Sequence, residues 1–187
     1  MSLNKQKRIL LLGDSISMGY RGYVREALEG RAEVAFFEEN GRFSNYTLHM
    51  LNQWIRQNGA PDIVHWNNGI WDLTVEPPLD GNFTPLPEYV AHLRRIIRLL
   101  RRVGTNAVVF ATTTYAKDRA EQPPEETDRF NAAALAVMRE ERVEVNDLGA
   151  LVKANLDAFL CDDRLHLNEA GYRACAAQVV QVLEKYL

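Results

Sequence analysis

The chain has 187 residues, 47% of them hydrophobic, and a formal net charge of -3. Its length is that of one domain, and its acidic balance argues against a nucleic-acid surface. Because the N-terminal apolar run over residues 9–12 is too short for a membrane span or a signal-peptide core, we expect a single domain over residues 1–187, cytoplasmic unless a leader is missing, with neither membrane nor nucleic acid as a partner.

The first predicted element is a buried strand over residues 9–12, where large aliphatic residues follow one another without polar alternation. Gly13 permits a sharp turn at its end, and Asp14 and Ser15 can cap a helix that begins near residues 17–20. In open α/β sheets, ligands bind outside the carboxyl ends of the strands. The sequence therefore predicts that Ser15 lies at a site, although a plain capped turn would explain Gly-Asp-Ser equally well.

The rest of the chain alternates strands and helices. Strands are predicted over residues 34–37, 62–67, 106–111 and 143–145, and helices over residues 20–29, 46–57, 88–103, 127–140, 151–155 and 168–185. This order predicts parallel βαβ units with right-handed crossovers. We expect an α/β fold with three layers, α/β/α, around a five-stranded parallel sheet.

Several details of these elements are predicted from local patterns. Thr127 can cap the helix that follows it, and Asn168 the last helix, whose inward face is expected to carry Ala174, Ala177, Val180 and Leu183. The loop over residues 73–87 is longer than most connections between helices and strands, and it is expected to form part of the wall of the substrate site. A second long polar loop covers residues 112–126.

Arginines cluster on the predicted helix over residues 88–103, at positions 94, 95, 98, 101 and 102. In a chain that is acidic overall, the simplest interpretation is a solvated stripe. His65 lies within a predicted strand and is expected to be a buried, hydrogen-bonded core residue. His49 and His92 lie on predicted helices and are expected to be structural or exposed.

Polar residues follow the strands and precede the last helix. Ser15 comes after the first strand, Gly41 after the second, and Asn67 and Asn68 after the third, while Asp163 precedes His166 by three positions. Parallel strands direct these loops to one rim. Acyl transfer needs such parts: a nucleophile, a base, an acid that orients the base, and donors for an oxyanion.

Gly13-Asp14-Ser15, then Gly41, then an asparagine in a third block, then Asp163-x-x-His166 resembles the GDSL or SGNH hydrolase superfamily over nearly the whole chain. The resemblance implies the flavodoxin-like SGNH fold, with Ser15 as nucleophile, His166 as general base and Asp163 as the residue that orients the imidazole. Histidine titrates in the range that such a base needs. Asp162 is the competitor for Asp163.

The resemblance also implies an oxyanion hole formed by the backbone N–H groups of Ser15 and Gly41 and by an asparagine side chain. The third block departs from the family pattern Gly-x-Asn-Asp, because Trp71 stands where the asparagine is expected. Asn67 is the preferred donor in its place, with Asn68 as second choice.

Residues near the strand ends are candidates to line the substrate pocket: Asp14, Arg42, Trp71 and Tyr115. Neither a phosphate-binding glycine loop nor a His/Cys cluster occurs, and Cys161 and Cys175 have no metal-ligand spacing. No metal or cofactor is therefore expected. The resemblance implies hydrolysis of a small carboxylic ester with a short acyl group, such as acetyl on a carbohydrate, through an acyl-enzyme. Acyl transfer, thioester hydrolysis and an inactive ligand-binding protein are the alternatives.

Overall fold

A computed structural model describes residues 6–78 and 80–187. Its strands are β1 (Lys7–Leu12), β2 (Ala32–Phe36), β3 (Ile63–Trp66), β4 (Ala107–Ala111) and β5 (Glu144–Asn146). Its α-helices are α1 (Ser15–Ala27), α2 (Ser44–Asn58), α3 (Ile70–Leu73), α4 (Leu86–Arg102), α5 (Pro124–Glu140), α6 (Leu148–Lys153), α7 (Leu156–Phe159) and α8 (Glu169–Leu183). The strands form one parallel sheet in the order β2, β1, β3, β4, β5. The predicted five-stranded α/β fold is confirmed.

Both faces of β1 are buried, which explains its unbroken run of aliphatic residues. Ile9 and Leu11 pack toward the layer formed by α1 and α8. Leu10 and Leu12 pack into the opposite cluster, beneath α2, α4 and α5. The sheet is thus the middle of three layers. Within the described residues, no helix is long and apolar enough to cross a membrane.

The buried face predicted for α4 is confirmed, whereas the buried face predicted for α8 is wrong. The buried residues of α4 are Tyr89, Leu93, Ile96, Ile97 and Leu100. Those of α8 are Gly171, Cys175, Ala176, Val179 and Leu183. Of the four residues predicted to face inward there, only Leu183 does; Ala177 is exposed, and Ala174 and Val180 are half-buried. Small apolar residues surround this helix on all sides, so its sequence pattern does not fix which face is buried.

Several helices also begin earlier than predicted, α2 at Ser44 and α4 at Leu86 among them. Helix α1 begins at Ser15, earlier than expected, and helix α5 begins at Pro124, so that Thr127 lies within it rather than capping it. Asn168 does cap α8, because its side chain accepts a hydrogen bond from the N–H of Gly171 at 3.0 Å.

The chain order reverses direction across the sheet at β1. From β1 the chain proceeds to β2 on one side and then returns to β3 on the other. Crevices at the carboxyl ends of such neighbouring strands are the usual ligand sites of open α/β sheets. The loops that follow β1 and β3 carry Ser15 and Asn67, so this crevice is where the predicted site must lie.

Candidate active site

Ser15 lies at the rim of the sheet, where β1 gives way to α1. Asp14 caps this helix, because its carboxylate accepts a hydrogen bond from the N–H of Ile16 at 3.0 Å. As the first helical residue, Ser15 has a backbone N–H without an acceptor inside the helix. Glycine is required at position 13, since a Cβ on Gly13 would lie 1.9 Å from Oδ1 of Asn67.

The loop before α8 brings an imidazole and a carboxylate to this serine. Nε2 of His166 lies 2.8 Å from Oγ of Ser15, and Nδ1 of His166 lies 2.6 Å from Oδ2 of Asp163. The other carboxylate oxygen of Asp163 accepts hydrogen bonds from the backbone N–H groups of Leu165 at 3.0 Å and His166 at 2.9 Å. The residues predicted as nucleophile, base and orienting acid are therefore in one hydrogen-bonded chain.

Asp163 remains a carboxylate at neutral pH. Burial raises its pKa, but the hydrogen bonds from the His166 ring and from the backbone of Leu165 and His166 outweigh that effect and lower the pKa to about 2. An ionised acceptor at Nδ1 keeps the imidazole proton on that nitrogen, which leaves Nε2 to accept a proton from Ser15. The competitor Asp162 is exposed and makes no hydrogen bond to the ring.

A buried polar pair lies directly beneath the serine. Asp14 is fully buried, and its Oδ2 atom accepts a hydrogen bond from Nδ2 of Asn67 at 3.0 Å. Burial raises the pKa of Asp14, against the lowering effect of the hydrogen bonds from Ile16 and Asn67. One of the two Nδ2 hydrogens of Asn67 is thus committed to Asp14, and the predicted oxyanion role of Asn67 depends on the other.

The amide of Gly41, predicted as an oxyanion donor, is engaged elsewhere in this conformation. Its N–H donates to the carbonyl oxygen of Gly13 at 2.9 Å, and its own carbonyl accepts from the hydroxyl of Thr47 at 2.9 Å. A Cβ on Gly41 would lie 2.6 Å from that Gly13 oxygen. Gly41 therefore allows the loop after β2 to approach the turn after β1, and its N–H does not point at an open site.

Asn68, the second choice for the oxyanion donor, is part of the packing around β3. It is fully buried, its Oδ1 atom accepts from the indole of Trp66 at 2.8 Å, and its Nδ2 atom donates to Thr47 Oγ1 at 2.9 Å and to the carbonyl of Arg42 at 3.1 Å. With both ends of its amide satisfied, Asn68 holds the loops in place and has no group left for a substrate.

A pocket of about 430 Å³ opens over Ser15 and His166. Its other lining residues are Asn40, Ile70, Trp71, Thr74, Glu76, Phe83, Gln122 and Leu165. The loop over residues 73–87 supplies several of them, as predicted for the substrate wall. Among the four residues predicted to line the pocket, only Trp71 does so.

The other three predicted pocket residues have different surroundings. Asp14 lies beneath the serine rather than in the pocket. The guanidinium of Arg42 is stacked 5.1 Å from the centre of the Tyr46 ring. The hydroxyl of Tyr115 hydrogen-bonds the carboxylate of Asp128. Proximity to a strand end in the sequence did not determine the direction of these side chains.

Asn40 is a pocket residue that the sequence analysis missed. Its Oδ1 atom accepts a hydrogen bond from the backbone N–H of Arg42 at 2.8 Å, which leaves Nδ2 as the polar group of this amide available to a ligand. The available signal was its position beside Gly41 in a polar loop at the end of β2, where only Gly41 and Arg42 were predicted to contribute to the site.

Comparison with known proteins identifies the family. The model of the GDSL-like lipase/acylhydrolase family matches residues 11–174. The chain belongs to this family. No curated protein matches the sequence.

Solved structures share the fold of this GDSL-like chain at low identity. A lipase/acylhydrolase from Enterococcus faecalis is 23% identical, with a TM-score of 0.78 over 96% of this chain and 97% of that one. The acetyl xylan esterase AlAXEase is 18% identical, with a TM-score of 0.78 over 94% and 99% of the two chains. The acetylxylan esterase Axe2 from Geobacillus stearothermophilus is 18% identical, with a TM-score of 0.76 over 97% and 95%. The resemblance to GDSL or SGNH hydrolases is thereby confirmed, and family membership places the chain among acylhydrolases.

Two aromatic residues of this GDSL-like chain, Trp71 and Phe83, line the pocket, and Phe43 packs against both of them. Phe43 lies edge-on to Trp71, with ring centres 5.4 Å apart, and its centre is also 5.4 Å from that of Phe83. Phe83 is exposed, with 37% of its surface accessible. These rings, Phe43, Trp71 and Phe83, are called the aromatic wall below. An exposed aromatic group beside a pocket is typical of a surface that binds a ligand.

The start of α2 beside this wall is held by a buried carboxylate. Asp72 accepts hydrogen bonds from the N–H of Ser44 at 3.0 Å and from its hydroxyl at 2.7 Å. Burial raises the pKa of Asp72 to about 6, against the lowering effect of these bonds. The Ser44 hydroxyl also lies 3.0 Å from Nδ1 of His92 on α4. This network joins α2, α3 and α4 near the pocket.

His65 is a core residue, as predicted. Its Nε2 atom lies 3.0 Å from Nδ2 of Asn146, and burial lowers its pKa to about 3, so it is neutral at pH 7. In residues 6–78 and 80–187, no group of three or more His, Cys, Asp or Glu side chains is arranged to hold a metal ion.

Proposed function

We propose that the chain is a serine esterase that removes short acyl groups, acetyl in particular, from a carbohydrate through an acyl-enzyme on Ser15. The observation that carries this proposal is the 2.8 Å contact between Ser15 Oγ and His166 Nε2, with Asp163 on the far side of the ring at 2.6 Å. A serine hydroxyl becomes a useful nucleophile at neutral pH only when a positioned base takes its proton.

The chemistry follows from this arrangement. Ser15 Oγ attacks the ester carbonyl carbon while His166 Nε2 accepts the hydroxyl proton, and Asp163 stabilises the imidazolium that results. The tetrahedral intermediate then collapses: the bond to the alcohol oxygen breaks, and His166 returns the proton to that oxygen. Water then attacks the acyl carbon while His166 Nε2 accepts one of its protons. The bond from that carbon to Ser15 Oγ breaks, Oγ takes the proton back from His166, and the carboxylic acid leaves.

The carbonyl oxygen becomes negatively charged in the intermediate and needs hydrogen-bond donors. The N–H of Ser15 is one, because it lies in the first turn of α1, where amides lack helical acceptors and the helix dipole favours negative charge. We assign a second donor to Nδ2 of Asn40, which lines the pocket with its Oδ1 atom already held by Arg42. The role of Asn67 stays a prediction.

Replacement of Asn40 tests the second donor. We expect Asn40→Ala to lower kcat by about 10²–10³-fold, as loss of an oxyanion donor typically does, with KM changed little. Asn40→Asp keeps the acceptor for the Arg42 N–H but removes the donor, so we expect it to be slow as well. A fast Asn40→Asp variant beside a slow Asn40→Ala variant would mean that Asn40 only holds the loop.

Two observations support a carbohydrate ester as the substrate. The aromatic wall includes Trp71 and Phe83, which line the pocket, and aromatic rings can pack against the C–H faces of a sugar. Two of the similar solved structures are acetyl xylan esterases, although their identity of 18% shows only a shared fold. The pocket of about 430 Å³ must hold the acyl group and part of the alcohol together, which favours a short acyl chain.

A series of p-nitrophenyl esters tests the proposed function. We expect a rapid first turnover of p-nitrophenyl acetate, an acetyl group on Ser15 detectable by mass spectrometry, and a kcat/KM that falls from acetate through butyrate to octanoate. Faster cleavage of octanoate would contradict the short acyl group. Transfer of the acetyl group to a sugar in preference to water would indicate an acyltransferase. The absence of any turnover or adduct would indicate a binding protein.

A further inference from the structure

A groove between α2 and α4 has a basic lining. It has a volume of about 480 Å³ and is called the arginine groove below. Its lining residues are Asn45, Leu48, His49 and Asn52 from α2, and Arg95, Arg98, Leu99 and Arg102 from α4. The three arginines recur at helical spacing on one face of α4.

The structure divides the arginines of α4 into two groups. Arg94 and Arg101 form ion pairs with Glu140 and Glu141. Arg95, Arg98 and Arg102 face the groove and form no ion pair within residues 6–78 and 80–187. In a chain with a net charge of -3, three such cations along one groove are a local excess of positive charge. The sequence interpretation, a single solvated stripe, does not separate these two groups.

Neighbouring depressions lead from the arginine groove to the active-site pocket. A depression of about 580 Å³ lies between them. It shares Phe83 with the active-site pocket, and it shares Asn45 and His49 with the arginine groove. A ligand that extends from Ser15 past Phe83, and then past Asn45 and His49, would therefore reach the groove.

Charge changes sign along this path. Glu88 and His92 line the middle depression, and Arg95, Arg98 and Arg102 follow on the same helix. Helix α4 begins at the end of the sheet where the site lies, and the fifteen residues from Glu88 to Arg102 extend for about 20 Å. Negative groups on a ligand are thus unfavourable near Glu88 and favourable beyond it.

We propose that the arginine groove binds carboxylate-bearing sugar units of the substrate, so that the enzyme acts on the acyl groups of an acidic oligosaccharide. This inference deepens the proposed function and rests on it. Guanidinium groups match carboxylates in geometry and form paired hydrogen bonds with them. Because adjoining depressions lead from the groove to the pocket that holds Ser15, an extended chain is favoured over an unrelated anion.

Binding of a non-esterified ligand tests the groove without any catalytic step. We expect the protein to bind short oligogalacturonates and to bind neutral xylo-oligosaccharides more weakly, as measured by calorimetry. The double variant Arg95→Gln/Arg98→Gln should weaken oligogalacturonate binding roughly tenfold. The matched control Arg94→Gln/Arg101→Gln removes the same charge from the same helix and should leave binding unchanged. In 1 M NaCl the difference should vanish, because the screening length falls to about 3 Å.

Kinetics then separate the groove from the esterase activity. With acetylated acidic oligosaccharides, the Arg95→Gln/Arg98→Gln variant should have a kcat/KM about tenfold below that of the wild-type protein. Its kcat/KM for p-nitrophenyl acetate should equal that of the wild type. Equal losses in the two double variants, equal affinity for acidic and neutral oligosaccharides, or binding of single-stranded oligonucleotides in preference to oligogalacturonates would overturn the groove proposal. Failure of the wild-type protein to cleave p-nitrophenyl acetate would instead count against the proposed function, whatever the binding result.

Discussion

Ser15→Ala is expected to reduce kcat for p-nitrophenyl acetate by at least about 10⁴-fold, because the variant lacks the hydroxyl that is proposed to form the acyl-enzyme. The fold should be unaffected. Asp14 still caps α1 in the variant, and alanine is a good first-turn residue, so the free energy of unfolding should change by no more than about 0.5 kcal/mol. Steady-state kinetics and chemical denaturation measure the two quantities separately.

A matched control lies in the same helix. Ser17→Ala also removes a hydroxyl from α1, two positions on, and should keep most of the activity. The double variant Ser15→Ala/His166→Ala should be no slower than Ser15→Ala alone, because a base without its nucleophile contributes nothing. Additive losses, or substantial turnover by Ser15→Ala, would show that Ser15 is not the nucleophile.

The meeting of Ser15 and His166 was predictable from the order of the elements. An unbroken aliphatic run indicates a strand buried on both faces, and parallel strands direct their following loops to one rim. The Asp-x-x-His spacing lets Asp163 reach the imidazole through one turn of chain. These are constraints of connectivity and short-range geometry, which can be inferred from the sequence alone.

The hydrogen-bond donors of the proposed oxyanion hole were less predictable, for a physical reason. Whether an amide faces a pocket depends on the backbone of its loop, and Gly41 turns its N–H toward the Gly13 carbonyl because two loops meet there. The next residue, Arg42, has a positive φ of 48°, which no residue preference would predict for arginine. The side-chain directions of Asn40 and Asn67 depend on contacts between loops, so they can be assigned only from the tertiary structure.

The α4 arginines illustrate the same limit. Spacing alone places Arg94, Arg95, Arg98, Arg101 and Arg102 on one helix, but it does not say which of them meet acidic partners. The pairing of Arg94 and Arg101 depends on where α5 ends against α4, since Glu140 and Glu141 lie there. A charge pattern therefore becomes evidence about ligands only after its ion pairs have been assigned.

Asp163→Asn is expected to lower kcat by about 10³–10⁴-fold while the fold is retained. Asparagine can still accept the backbone hydrogen bonds of Leu165 and His166 through its oxygen, so the loop should keep its conformation. Its amide nitrogen would then face Nδ1 of His166 and donate to it. That contact favours the tautomer with the proton on Nε2, which cannot accept the proton of Ser15.

The pH profile and the neighbouring aspartate make this prediction specific. The pKa of Asp163 is about 2, so its carboxylate is ionised in the wild-type protein at every pH from about 5 upward. The negative charge is lost only as the pH falls toward that pKa. The deficit of Asp163→Asn should therefore persist across pH 5 to 8. Asp162→Asn removes the same charge from the adjacent, exposed position and should act within about twofold of wild type. If Asp162→Asn were the slower variant, the orienting acid would be Asp162, and the contact between Asp163 and His166 would have only a structural role.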